Sequence, residues 1–333
     1  MKGKLSQLGF KNMLKKISVP GIAYGIGFLI LLFGLLTSWR NVSAANLLLI
    51  ARNSSILLLA SIGMTMAILV SQVDLSIGSV MSLAGVIAAV CLKGDIGIPI
   101  AILLGLLSGM LIGLFNGIMV AVYKFDYWIT TFATMGIGAG LALVVADGAT
   151  VPISNRFFNW IGNGKIAGIY VMIWITVVVT VTVYFLLKKT RFGYNIYSVG
   201  GSEQAANLSG INVVKNRILV YVCSGFFAAT AGLLLAAMGS SANPIGGTNY
   251  SFDAMAAVII GGTGFDGGKG GIAGTVMGAI MLRVLSNGLG IMGIDATWQK
   301  TIIGFVIVTV LVVDAFNEKR RKTNEQRRVY AHE

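Results

Sequence analysis

Seven stretches of this chain run for roughly twenty residues or more without Asp, Glu, Lys or Arg: 17–39, 53–73, 75–92, 96–123, 127–146, 166–187 and 218–252. A helix of ~20 apolar residues is long enough to cross the hydrocarbon core of a bilayer. Such a helix closes its own backbone hydrogen bonds, so it can stand in lipid where no water is available to pair them. The same pattern excludes a soluble globular enzyme. The chain is 56% apolar and 11% charged, against ~25% charged in an average soluble domain. Its 44 glycines with only 4 prolines fit close helix packing in a membrane rather than a disordered tract.

The net charge of +13 is unevenly placed. Residues 1–20 carry five lysines and no acid. Residues 188–217 carry Lys188, Lys189, Arg191, Lys215 and Arg217 against Glu203, and 317–333 carry six bases against three acids. These segments flank apolar spans, which argues against a nucleic-acid groove. The positive-inside rule puts all three in the cytoplasm. The N-terminal basic stretch followed by an apolar run resembles a signal peptide, but no small-residue cleavage site follows Trp39-Arg40, so it reads as an uncleaved first span.

Read in order, spans fall near 21–39, 54–70 (after an interfacial piece), 77–92, 98–122, 127–146, 168–187, 217–238 and 301–316. A broken pair lies between the last two. The stretch 253–262 is too short to cross alone, 261–271 is glycine-dense, and 272–289 is interrupted by Arg283. The expectation is an all-α polytopic membrane protein of about ten transmembrane helices, some broken or re-entrant, with both termini cytoplasmic. Eight spans remain an alternative. The expected organisation is a basic cytoplasmic N-terminus over 1–20, one transmembrane domain over 21–316 with a cytoplasmic loop at 188–215, and a basic tail over 317–333. Residues 147–167 and 239–251 read as external loops.

Several chemistries lack their residues. The single histidine is His332, so a histidine-based nucleophile or metal site within the membrane is excluded. Cys91 and Cys223 lie inside apolar segments and read as small hydrophobes. No Walker A motif is present. Gly262-Thr263-Gly264-Phe265-Asp266-Gly267 matches G-x-G-x-x-G, but it lies between membrane segments where the dinucleotide fold needs a strand. No cofactor or metal is expected on this chain.

The cytoplasmic loop carries the most specific signal. In Ser202-Glu203-Gln204-Ala205-Ala206-Asn207-Leu208-Ser209-Gly210-Ile211, Ser202 is an N-cap, Glu203 favours the positive end of a helix dipole, and Gly210 is a stop. A short capped helix with small residues suits docking into a partner's groove, although a plain connecting loop reads equally from local chemistry. Asp74 with Ser76 reads as a cap for the third span or as part of a gate. Asn116, Thr130 and Thr131 read as interhelical hydrogen-bonding groups or as contacts to a polar solute. The Asp266 region reads as a break near a path, and Arg283 as a snorkelling residue or a structural pair ahead of a substrate contact. The spacing Gly105, Gly109, Gly113, Gly117 and the pair Gly136, Gly140 predict close helix packing.

These loop residues, together with Lys188 to Tyr194, are similar to the coupling segment of bacterial ABC-importer permeases of the ribose-type sugar family. So are Gly63-Met64-Thr65, Val73-Asp74-Leu75-Ser76-Ile77-Gly78-Ser79, and Ala257-Val258-Ile259-Ile260-Gly261-Gly262 with its continuation to Gly274. The resemblance covers 46–313. It implies a permease subunit without its own ATP site, paired with a second permease copy. A separate ABC ATPase would dock at Ser202, Glu203, Ala205, Ala206, Leu208, Ser209, Gly210 and Ile211, and a soluble sugar-binding protein outside. Asp74, Ser76, Asn116, Thr130 and Asp266 are the candidates for gate or path. Permeases for branched-chain amino acids or nucleosides share the architecture. A stand-alone ion-coupled transporter is the alternative class.

Overall fold

The computed structural model describes residues 19–295, 297–305, 308–309 and 312. The basic segment 1–18 and the tail from 313 onward, including His332 and most of the expected tail, lie outside the described residues. The order is α1 (Val19–Leu36), α2 (Ala44–Leu69), α3 (Ile77–Lys93), α4 (Ile98–Ala121), α5 (Tyr127–Val145), β1 (Val151–Pro152) and α6 (Arg156–Asn163). There follow β2 (Lys165–Ile166), β3 (Ile169–Tyr170), α7 (Val171–Lys189), α8 (Arg191–Gly201) and α9 (Glu203–Leu208). The last named elements are α10 (Val213–Gly239), β4 (Ser241–Ala242), α11 (Tyr250–Ile260) and α12 (Ile272–Ile291). Helical backbone continues over 297–305.

Six of these helices, α2, α4, α5, α7, α10 and α12, are long and apolar enough to cross a membrane; α3 and α11 are apolar but shorter. The molecule is a helical polytopic membrane protein. One expectation is corrected: no interfacial piece separates from the second span. Helix α2 runs unbroken for 26 residues, about 39 Å at 1.5 Å per residue. Ser43 caps its start, accepting the Asn46 N–H, and Ser54 and Ser55, where the span was expected to begin, are buried within it.

The 27-residue α10 is the centre of the bundle, packed on α2, α3 and α4. Three of the four glycines spaced along α4 explain how close it lies, while the fourth, Gly105, faces the Ala84 carbonyl of α3. A Cβ on Gly113 would strike the Tyr221 backbone, one on Gly109 the Gly225 carbonyl, and one on Gly117 would come 2.8 Å from Ile218 Cα. From the other side, a Cβ on Gly225 would meet the Gly109 carbonyl. Without Cβ atoms the two backbones touch and dispersion acts over the full length of contact. The α11–α12 pair repeats the device, with Gly261 against Gly274 and Gly278 against the Ala257 carbonyl. Gly136 and Gly140 on α5 do not share it, since neither has an atom within 4 Å of an added Cβ.

Helices α3 and α11 begin side by side and run apart. The Ser251 hydroxyl accepts the Gly78 N–H at 2.8 Å and donates to the Leu75 carbonyl at 2.7 Å. The Ser82 hydroxyl accepts the Gly247 N–H at 2.9 Å. The far end of α3 packs near β1 and β4, whereas α11 ends against the start of α12. Each is preceded by non-helical backbone, 70–76 and 240–249, that reaches the interior from an opposite end of the bundle. Side-chain hydroxyls satisfy backbone groups there, as irregular backbone away from water requires.

The loops expected outside are joined to each other. β1 and β4 pair antiparallel, Val151 with Ala242 and Pro152 with Ser241. Arg52 donates to the Gly162 carbonyl at 3.2 Å and to the Asn163 side chain, and lies 4.6 Å over the Tyr170 ring. The 147–167 stretch, legible only as a loop, thus holds α6 and β2, and the tight hairpin of β2 and β3 runs on to Tyr170, where the next span was expected to have begun.

Candidate functional site

A chain of buried hydrogen bonds lies where α3 begins. Asp74 Oδ1 accepts the Ser76 N–H at 3.0 Å and the Ser76 hydroxyl at 2.5 Å, and Oδ2 accepts the Ser224 hydroxyl at 2.6 Å. Asn116 on α4 donates to Ser76 Oγ at 3.0 Å and accepts from Thr134 on α5 at 2.8 Å. Asp74, Ser76, Asn116, Thr134 and Ser224 are all 4% exposed or less. The network therefore ties 70–76, α4, α5 and α10 together near Ser224, the twelfth residue of α10. Three donors converge on the two oxygens of Asp74 and offset its loss of water.

Of the sequence candidates, Asp74, Ser76 and Asn116 meet in this network. Thr130 lies one helical turn away, its carbonyl accepting from Thr134 at 3.2 Å and its hydroxyl donating to the Asp126 backbone carbonyl at 2.8 Å. Asp266 is elsewhere. Its side chain is exposed, and its carbonyl accepts from Ser71 at 2.9 Å. Ser224 and Thr134 were missed, because both are lone hydroxyls in apolar helices with no sequence mark of their own. Asp74 pairs the N–H of Ser76, and Ser76 occupies the N-cap of α3 without a side-chain cap bond, so neither side chain caps the helix as the sequence suggested.

At the end of α2 away from Arg52, the loop between α7 and α10 folds as two helices where one was expected. Thr190 caps α8 and Ser202 caps α9, its hydroxyl accepting the Ala205 N–H at 3.2 Å. Gly210 stops α9 at φ +77, as its sequence position predicts. Glu203 pairs with Arg217 of α10 at 2.7 Å. Ala206 is buried, while Leu208 is 91% exposed. Ala205, Ser209 and Gly210 are also exposed and Ile211 is half-buried.

Helix α8 is fastened to the glycine-rich break and to α2. A Cβ on Gly200 would strike the Leu69 carbonyl. The Ser71 hydroxyl donates to the Gly200 carbonyl at 3.2 Å, Gly268 N–H to the Leu69 carbonyl at 3.0 Å, and Tyr197 to the Gly270 carbonyl at 3.0 Å. Gly267, Gly268 and Gly270 adopt positive φ, which admits glycine without strain. The G-x-G-x-x-G run joins two helices with no strand before it, so it lacks the setting of a dinucleotide site. The two halves of the candidate site are thus linked: Ser71, clamped at α8, is three residues from Asp74.

The family described as "Branched-chain amino acid transport system / permease component" matches residues 46–311. The chain is 39% identical over 280 residues to the ribose import permease protein RbsC of Haemophilus influenzae, covering 82% of this chain and 86% of the relative. It is 34% identical over 307 residues to that of Bacillus subtilis, covering 90% and 95%. It is also 34% identical over 261 residues to the L-arabinose transport system permease protein AraH of Escherichia coli, covering 78% and 80%. No solved structure matches the chain.

Proposed function

Because the chain belongs to the family of branched-chain amino acid transport system permease components, we infer that it is the transmembrane permease subunit of an ATP-binding-cassette importer for a ribose-type pentose or hexose. It transports rather than catalyses. Identity of 39% across 82% of the chain to a ribose import permease carries the reading. The partners that follow are an ABC ATPase on the inner face, an extracytoplasmic sugar-binding protein on the outer face, and a second copy of this chain. On this reading the ATP site belongs to the partner ATPase, and the chain needs no cofactor or metal of its own. It resides in a bacterial inner membrane, crosses it ten times and has both termini in the cytoplasm. Pairing each short helix, α3 and α11, with its preceding extended segment makes one crossing, and the six long helices, α1 and the last helix complete the count. The three basic segments then share one side.

The mechanism rests on the connections around α8 and α9. Docking of the ATPase on Ser202, Glu203, Ala205, Leu208 and Ser209 would grip α9, whose buried Ala206 and Glu203–Arg217 pair join it to α10. Closure of the ATPase on ATP then moves α8 and α9 as a unit. Ser71 and Leu69 transmit that displacement to 70–76 and so to Asp74, Ser76 and Asn116. The Asp74 network then carries the displacement on to α4, α5 and α10, which it ties together. Thr130 and Asp266 flank this route, one turn along α5 and at its inner end.

The test is ATP-driven uptake. The chain would be purified with its co-purifying ATPase, reconstituted in liposomes and offered labelled pentoses and hexoses with candidate binding proteins. Uptake of one sugar that requires both ATP and a binding protein is expected. Uptake of a branched-chain amino acid or nucleoside instead would correct the substrate. Flux driven by an ion gradient alone would overturn the importer reading in favour of a secondary transporter.

A further inference from the structure

One charged pair lies at membrane depth apart from the Asp74 network. Arg283 of α12 and Asp253 in the first turn of α11 approach to 3.5 Å, with side chains 18% and 31% exposed. The Arg283 guanidinium lies 5.3 Å from the centre of the Tyr250 ring. Arg283 is eight residues from the end of α12 at Ile291, about 12 Å along the axis. Asp253 lies two residues past Ser251, whose hydroxyl bridges to Gly78 and Leu75 deep in the bundle.

Intramembrane ions of this kind face a cavity or a partner, because lipid offers nothing to solvate them. The pair does not use its own bonding capacity. A guanidinium has five N–H donors and a carboxylate about four acceptor positions, yet they share a single long contact. Arg283 Nε is buried without a partner among the described residues. Beside the pair, Thr248, Asn249 and Phe252 are exposed, so polar and aromatic groups crowd one accessible patch at the start of α11.

We propose that Asp253, Arg283 and the Tyr250 ring form a subsite for a neutral polyhydroxylated solute on the translocation path; this rests on the importer reading above and names where that chain touches its cargo. The chemistry fits in three ways. Vicinal hydroxyls can donate to Asp253 and accept from Arg283 at once. The pair is neutral by itself, with Lys300 a further cation acting on Asp253, so a neutral solute need not part it, whereas a zwitterion would have to separate its charges. The ring offers an apolar face to C–H groups of a sugar.

The test uses the full transporter, with ATPase and binding protein, in liposomes. Asp253→Asn and Arg283→Lys are compared with wild type for ATP-driven uptake of a panel of pentose epimers, with ATPase co-purification as the measure of assembly. Expected is at least a tenfold loss of uptake together with a changed ranking of the epimers. A purely structural pair would leave that ranking untouched. The double variant Asp253→Arg with Arg283→Asp keeps an ion pair but reverses its donors and acceptors, and it should remain defective. Wild-type uptake and ranking in the single variants, or their full recovery in the double variant, would overturn the subsite. If the variants fail to assemble, the double variant decides in the same way. Wild-type uptake of a zwitterionic amino acid and of no sugar would overturn the polyol assignment along with the sugar reading. Sugar uptake indifferent to these residues would overturn the subsite alone.

Discussion

Replacing Ser224 with alanine should destabilise this protein more than replacing Asn116, although Asn116 touches two helices and Ser224 only one residue. Ser224 supplies the only hydrogen bond to Asp74 Oδ2 among the described residues, at 2.6 Å and with both groups 1% exposed or less. Its removal leaves a carboxylate oxygen buried and unpaired. A hydrogen bond to a charged group contributes ~1.5–3 kcal/mol, so a loss of about 2 kcal/mol is expected, roughly a thirtyfold change in the unfolding constant. Asn116 makes neutral interhelical bonds, of the kind that average ~0.6 kcal/mol in membranes. Thr134, once released by Asn116→Ala, still donates to the carbonyls of Thr130 and Thr131 at 3.2 Å. Asp74→Asn removes the charge, so Ser224→Ala in that background should fall toward ~0.6 kcal/mol, a coupling of at least ~1 kcal/mol. Titrating purified protein in mixed micelles with a denaturing detergent, followed by circular dichroism, gives all four corners of the cycle. A Ser224→Ala cost within ~0.5 kcal/mol of zero, or a cycle without coupling, would refute the idea that the Asp74 charge organises the network.

Gly113→Val should abolish accumulation in the membrane, since its side chain would strike the Tyr221 backbone, whereas Gly136→Ala, with nothing within 4 Å, should leave expression and uptake at wild-type levels. Immunoblots of membrane fractions separate the two. Glu203→Arg places two cations together at the α9–α10 contact. Because Glu203 is 43% exposed, stability should change by under ~1 kcal/mol, but ATP hydrolysis should continue without uptake; unchanged uptake would remove Glu203 from the coupling route. Leu208→Asp alters a side chain that is 91% exposed and should cost no stability. Loss of the co-purifying ATPase is its expected effect, and retained ATPase would exclude Leu208 from the docking surface. Cysteines at Asn243 and Ser202 should react with impermeant maleimide from opposite faces of the membrane, and reaction of both from one face would break the topology.

The charge-free runs made most helices legible, because the bilayer imposes a length that composition reports directly. The caps of α9 were legible for a similar reason: Ser202 and Gly210 act on their own backbone neighbours. The network was only half legible. Asp74 stands out as an acid among apolar residues, but Ser224 does not. Ser61, Thr176 and Thr182 are hydroxyls in comparable helices, and each donates to the carbonyl four residues earlier in its own helix. Nothing local separates those from a hydroxyl that reaches another element, since the partner is 150 residues away in sequence. The joint start of α3 and α11 was hidden likewise. It depends on Ser251 meeting Gly78, and a hydropathy run reports a helix without reporting how deep it begins. Arg283 and Asp253 were each visible, but their pairing required the α11–α12 contact.

The two-residue ladder between Val151–Pro152 and Ser241–Ala242 contributes little to stability, yet it works as a latch. It fastens the loop that follows α5 to the strand that leads into α11, and Asn163 adds a second fastening by donating to the Ala237 carbonyl at 2.9 Å. With these closed, the outer ends of α5, α6 and α10 move as one plate. An entrance that opened inside a single chain would have to tear that plate, whereas one that opens along its rim leaves every latch shut. A load on any one point of the plate is thereby shared along its whole rim.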